Sequence, residues 1–183
     1  LYREIQIPLP IHSPDEMMQY IEEGLSEKTK VLVIDHITSA TSIIVPIQKI
    51  IDCCKNKGIL TLVDGAHAPG MLDLHIQSLA PDWYVGNLHK WVCAPLGAAF
   101  VWSSELQRTT THPMTVSHWL NQGYVEEFNW QGTRDITAWL SAAAAIEHGN
   151  EIGWERIRTH NHQLVTWMHE TLIHQWDVLP LSP

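Results

Sequence analysis

Short continuous apolar runs alternating with helix-periodic segments constrain this chain more than any other feature. Lys30 to Asp35 and Ile59 to Val63, the latter ending at Asp64, read as fully buried strands. Trp83-Tyr84-Val85 and Gly97 to Trp102 read as two more. Between them, Pro46 to Lys57 is a predicted helix with Ile47, Ile50, Ile51 and Cys54 on one face and Gly58 as its stop. Ser13-Pro14-Asp15-Glu16 is a strong helix start, with Ser13 as cap, Pro14 in the first turn and Glu16 closing a capping box. Strands of this kind alternating with helices predict an α/β fold, a mostly parallel sheet flanked by helices and covered on both faces. Further helices are expected over Asp135 to His148 and Glu151 to Gln175, the second with Ile157, Leu164, Met168 and Leu172 on its inner face. Residues 109–131 are the least regular segment.

Composition narrows the class. Among 183 residues, 11 Lys and Arg face 20 Asp and Glu, a net charge of −9, with no basic run to recruit nucleic acid. No apolar run approaches the roughly 18 residues of a membrane-spanning helix, and no signal peptide is visible. The three cysteines, Cys53, Cys54 and Cys93, are an odd number, and adjacent Cys53 and Cys54 are poor partners for one bridge. A reducing, cytoplasmic setting is expected. The chain opens without Met and stops at Leu-Ser-Pro183, which reads as a fragment of a longer protein.

Ligands of open α/β sheets bind outside the carboxyl ends of the strands. Asp64, Asn87 and Lys90 fall there, in Asp64-Gly-Ala-His67 and Asn87-Leu-His89-Lys90-Trp91. An acid at one strand end and a lysine past the next is the arrangement a pyridoxal 5'-phosphate (PLP) enzyme needs. The lysine holds the cofactor aldehyde, and the acid keeps the pyridine nitrogen protonated. Taken alone, Lys90 is an ordinary surface lysine; its neighbours favour the functional reading. Asp64, His67 and His36 also offer metal ligands, so a metal-dependent hydrolase competes, but it leaves Asn87 to Trp91 unexplained. Arg134 suits a carboxylate clamp or, equally, a surface ion pair with Asp135. Cys93 reads as a small buried filler, and the histidines His160, His162, His169 and His174 as surface residues.

Val33 to Pro46, Thr61 to Gly70, Val85 to Gly97 and Gln131 to Leu140 together resemble the class V aminotransferase family of fold-type-I PLP enzymes. The likeness is to the isopenicillin N epimerase-like branch, with cysteine desulfurases and carbon–sulfur lyases as cousins. The resemblance implies a partial PLP-binding large domain over residues 1–175 and the start of a truncated small domain at 176–183. It implies Lys90 as Schiff-base lysine and proton shuttle, Asp64 as partner of the pyridine nitrogen, and His67 on the phenolic oxygen. Asn87 and His89 take the phosphate, Ser39 lies near the ring oxygen, and Thr133 reaches the phosphate held by the neighbouring subunit. That last role implies a homodimer with shared sites. The substrate is then an amino acid, and the reaction an epimerisation, a lyase or desulfurase step, or a transamination.

Two departures matter. Ser42 stands where such sequences usually have Gly, which costs strain if φ there is positive. The family also places a phosphate-cradling helix start and a ring-stacking aromatic before residue 1, and a small domain with a carboxylate-binding arginine after residue 183. An inactive fragment serving as a binding module is therefore a further alternative.

Overall fold

The computed structural model describes residues 2–182. Its frame is one sheet of β1 (Val31–Asp35), β2 (Leu60–Asp64), β3 (Trp83–Asn87) and β4 (Ala99–Ser103), in that spatial order. The first three strands are parallel, and β4 returns antiparallel to β3 at the edge. This is the mostly parallel α/β sheet that the sequence predicts.

Helix α1 (Pro14–Gly24) starts as its cap residues dictate: Ser13 Oγ accepts the Glu16 N–H at 3.1 Å. The Glu16 carboxylate reaches back to the His12 N–H, 2.7 Å away, one residue beyond the usual capping box. Helix α2 (Ile47–Asn56) buries Ile50, Ile51 and Cys54 completely. These side chains meet Leu32 of β1 and Met17 and Ile21 of α1 in one cluster, and Val63 and Tyr84 in a second. Burying an isoleucine side chain stabilises by about 1.5–3 kcal/mol, so α2 is the main clamp on this face of the sheet. The short helix α3 (Ile76–Leu79) packs beside it. Asp82 ties β3 to β2, accepting the Thr61 N–H at 2.8 Å while its own N–H donates to Thr61 Oγ1 at 3.2 Å.

Because side chains alternate across a strand, register decides which residues share a face. Ile34, Val63, Tyr84 and Trp102 are aligned and face α2. Val33 aligns with Leu62 and Trp83, and Asp35 with Asp64 and Val85, on the other face. That face is open: Val31 is 43% and Val33 65% exposed. The expectation of cover on both faces is thus corrected at β1, where this side is left exposed.

The carboxyl-terminal half departs further from the periodicity. The helix expected over 135–148 is two pieces, α5 (Thr137–Leu140) and α6 (Ala142–Ile152), after the short α4 (Tyr124–Asn129). Ser141 Oγ donates to the Thr137 carbonyl at 2.8 Å, the back-bond by which serine bends a helix. Gly153, at φ +95°, separates α6 from α7 (Trp154–Trp176). The inner face expected for α7 is not buried: Leu164 is 52% and Met168 44% exposed. Cys93 is exposed rather than a buried filler.

Ser42 does adopt the left-handed conformation, at φ +57°. It turns a tight loop in which the Ser42 N–H donates to the Thr38 carbonyl and the Thr38 N–H to that of Ile43, each at 3.0 Å. A side chain in this region costs about 1–2 kcal/mol, partly offset by the greater entropy glycine loses on folding. Ser42→Gly is therefore expected to stabilise the protein by about 0.5–1 kcal/mol, read from the denaturant midpoint. A lowered midpoint would show that the turn is not strained.

Candidate active site

Two carboxylates mark the carboxyl ends of adjacent parallel strands. Asp35 and Asp64 are register partners, so both project from the open face of the sheet. Asp64 Oδ1 accepts the Ala66 N–H at 2.9 Å, and its second oxygen has no hydrogen-bond partner among the described residues. Burial pushes the Asp35 carboxyl above the ordinary carboxylate range, and the Asp64 charge adds to this, while His67 and Lys90 pull the other way. His67 follows Asp64 by three residues, on the turn that leaves β2.

Gly65 lets the chain turn from Asp64 toward His67. On the covered face Tyr84, fully buried, lies flat against it, and a Cβ at Gly65 would sit 2.1–2.2 Å from the Tyr84 ring carbons and hydroxyl. The Tyr84 hydroxyl lies 2.9 Å from His36 Nδ1, and its ring stacks on Phe100 with centroids 6.4 Å apart. Burial raises the Tyr84 hydroxyl pKa, with Asp64 adding to the shift, and burial lowers that of His36, so both stay neutral. Neither ring has room to move. Gly65→Ala is expected to destabilise by roughly 1–3 kcal/mol through overpacking, measured by chemical denaturation. An unchanged midpoint would mean that the Tyr84 ring is not held in place.

The loop from β3 to β4 carries the amine. The Leu88 N–H donates to the Ala98 carbonyl at 2.9 Å, that of Ala94 to Leu88 at 3.0 Å, and that of Cys93 to Lys90 at 3.2 Å. Cys93 takes a positive φ of +62° to close this turn. Within it Lys90 Nζ lies 2.9 Å from His67 Nε2. The Trp91 indole N–H donates to the other nitrogen of the same ring, Nδ1, at 3.3 Å. His89 Nδ1 is 2.9 Å from the Ala98 carbonyl oxygen. A carbonyl only accepts, so this nitrogen carries a hydrogen, and Nε2 is the atom His89 has left for a ligand. Asn87, half-buried, ends β3 on the same face as Asp64.

The structure thus brings Asp64, His67 and Lys90 together and sets Asn87 and His89 at the adjoining strand end and loop. It does not join Ser39, Thr133 or Arg134 to them by any hydrogen bond among the described residues. Ser39 is exposed on the loop after β1. Thr133 is exposed after Gly132, on a segment anchored where the Trp139 indole N–H donates to the Ala99 carbonyl at 3.0 Å. Arg134 pairs with Gln131 Oε1 at 2.7 Å and lies 4.7 Å over the Trp139 ring, while Asp135 accepts from the Thr137 N–H at 2.9 Å. The ion pair weighed for Arg134 and Asp135 is therefore not formed. His36, offered as a metal ligand with Asp64 and His67, faces Tyr84 on the opposite side. No group of three His, Cys, Asp or Glu side chains among the described residues is placed to hold a metal ion.

Sequence reasoning missed Asp35 and Trp91. A signal existed for Asp35, since it ends its apolar run just as Asp64 ends the next, and parallel register sets the two side by side. Nothing in the local pattern marked Trp91 as a hydrogen-bond donor to His67.

The family model described as Aminotransferase class-V matches residues 9–179. The chain is 33% identical to a probable L-cysteine desulfhydrase, chloroplastic, of Arabidopsis thaliana, over 94% of this chain and 39% of that protein. It is 30% identical to isopenicillin N epimerase of Amycolatopsis lactamdurans, over 99% of this chain and 50% of that one. The chain therefore spans about 40–50% of the length of these relatives. Its fold matches an apo cysteine desulfurase from Thermococcus onnurineus NA1 with a TM-score of 0.69, at 23% identity, over 88% of this chain and 41% of that one.

Proposed function

The chain belongs to the Aminotransferase class-V family, and from that premise we propose that the protein binds PLP and works at the α-carbon of an amino acid. The observation that carries this reading is the 2.9 Å contact of Lys90 Nζ with His67 Nε2, on the turn that opens at Asp64. The residues present fit the cofactor: a primary amine for its aldehyde, a carboxylate oxygen left over from the Ala66 bond for its pyridinium, and an imidazole for its phenolic oxygen. Asn87 contributes an amide to the phosphate. His89, with Nδ1 spent on Ala98, donates to an anion through Nε2 only as the imidazolium. Ser39, on the exposed loop after β1, is assigned to the ring oxygen in this reading.

When bound, the cofactor supplies an electron sink that acidifies the substrate's α-carbon–hydrogen bond. Lys90 would hold the cofactor aldehyde and, as a free amine, would be the base that takes the α-proton. Asp64 would hold the positive charge on the ring nitrogen. Epimerisation needs the proton returned on the other face. The second reading, cysteine desulfhydrase-type elimination at carbon–sulfur, starts from the same proton removal by Lys90. The epimerase relative favours the first outcome and the desulfhydrase relative the second.

A homodimer with shared sites is part of the proposal. Thr133 sits on an exposed turn flanked by Trp130 and Ile136, 45% and 48% exposed, which suits burial against a second copy whose phosphate Thr133 then reaches. Free cysteines fit a reducing compartment, cytoplasm or plastid. No helix among the described residues is long and apolar enough to cross a membrane.

The test uses the full-length protein with PLP and a panel of amino acids scored for racemisation, sulfide release and keto-acid formation. Racemisation of the substrate supports the epimerase reading, and sulfide from cysteine supports the lyase. PLP-independent turnover, or no turnover with any amino acid, would sink both.

A further inference from the structure

We propose that Trp91 is a positioning residue that sets the tautomer of His67 and thereby holds Lys90 in its nucleophilic form. An indole nitrogen only donates. Its N–H is aimed at His67 Nδ1 at 3.3 Å, so Nδ1 must offer its lone pair. A neutral imidazole has one hydrogen, which then sits on Nε2. Nε2 is 2.9 Å from Lys90 Nζ, and a hydrogen there meets Lys90 only through the lone pair of the free amine. The converse arrangement conflicts. An ammonium at Lys90 donates to Nε2, the ring hydrogen moves to Nδ1, and two N–H groups face each other across the Trp91 contact.

The position of Trp91 is itself built in. Gly70, at φ +85°, lies so close that a Cβ there would be 2.7 Å from the Trp91 carbonyl oxygen. The turn that carries His67 and the loop that carries Lys90 are therefore held backbone to backbone at this point. The indole and imidazole rings lie 6.4 Å apart at 48°. The charged groups at the adjoining strand ends are Asp35 and Asp64, register partners on β1 and β2.

The inference rests on the PLP reading, and its test separates the two. Cofactor-free full-length protein is mixed with PLP and sampled into borohydride over a range of pH. The Lys90 nitrogen bonds the aldehyde carbon, water leaves, and hydride reduces the new carbon–nitrogen double bond, so the rate of labelling reports the free amine. Trp91→Phe keeps the ring and removes the donor. It is expected to slow labelling on the order of fivefold near neutral pH, the worth of about one hydrogen bond. The deficit should vanish at high pH, where the amine is free in both proteins. Equal rates near neutral pH, or a deficit that persists unchanged at high pH, would overturn the role of Trp91. Absence of labelling in the wild type at every pH would instead overturn the PLP reading. A second readout needs no cofactor. The ring nitrogens of 15N-histidine protein, with the His67 signal assigned through His67→Gln, should show the hydrogen on Nε2 in the wild type and its transfer to Nδ1 in Trp91→Phe. A hydrogen on Nδ1 in the wild type would contradict the proposal.

Discussion

Lys90→Arg is expected to reduce turnover of amino acids by at least about 10³-fold, the upper range for loss of a proton-transferring group, while leaving the denaturant midpoint unchanged within about 0.5 kcal/mol. Arginine keeps the positive charge and much of the reach. It does not lose its proton at working pH, so it serves neither as nucleophile nor as base. The fold should not register the change, because Lys90 is half-buried on a loop whose closing bonds do not use its side chain. Assays of racemisation and sulfide release on the full-length variant, beside a denaturation curve, check both halves. Residual turnover within tenfold of the wild type would remove Lys90 from the chemistry.

Asp64→Asn should cost on the order of 10²–10³-fold in turnover, the scale of one electrostatic partner lost at a reacting centre. The substitution isolates charge from shape. An asparagine carbonyl accepts the Ala66 N–H as Asp64 Oδ1 does at 2.9 Å, so the turn into Gly65 is preserved. In the proposed site, what would disappear is the negative charge opposite the ring nitrogen, and with it the drive to keep that nitrogen protonated. The variant should still attach PLP to Lys90, since the amine and His67 are untouched. Wild-type turnover in Asp64→Asn would show that the carboxylate does not face the ring. Failure to attach PLP at all would show that its role is structural.

The strands were legible because a buried parallel strand must be apolar on both sides; their spatial order and the antiparallel return of β4 were not. The positions of Asp64, Asn87 and Lys90 followed from strand ends alone. Cover on the open face was not legible. Val31 and Val33 carry the pattern of a doubly covered strand, but the pattern states what a residue tolerates, not which element lies over it. The helix break at Ser141 was hidden by the alanine run after it, where propensity favours continuation and a single serine back-bond decides otherwise. Within the site, pairwise contacts were out of reach. The Asp35–Asp64 pairing depends on strand register, the His36–Tyr84 bond on two residues 48 apart, and the Trp91–His67 bond on the close approach of Gly70. Such contacts arise where loops meet, and periodicity carries no information there.

The account depends on one covalent bond. Full-length protein saturated with PLP, reduced with borohydride and digested, should yield a single PLP-bearing peptide that contains Lys90, with no label in Lys90→Arg. Label on a different lysine, or none on the wild type, would contradict the assignment of this site.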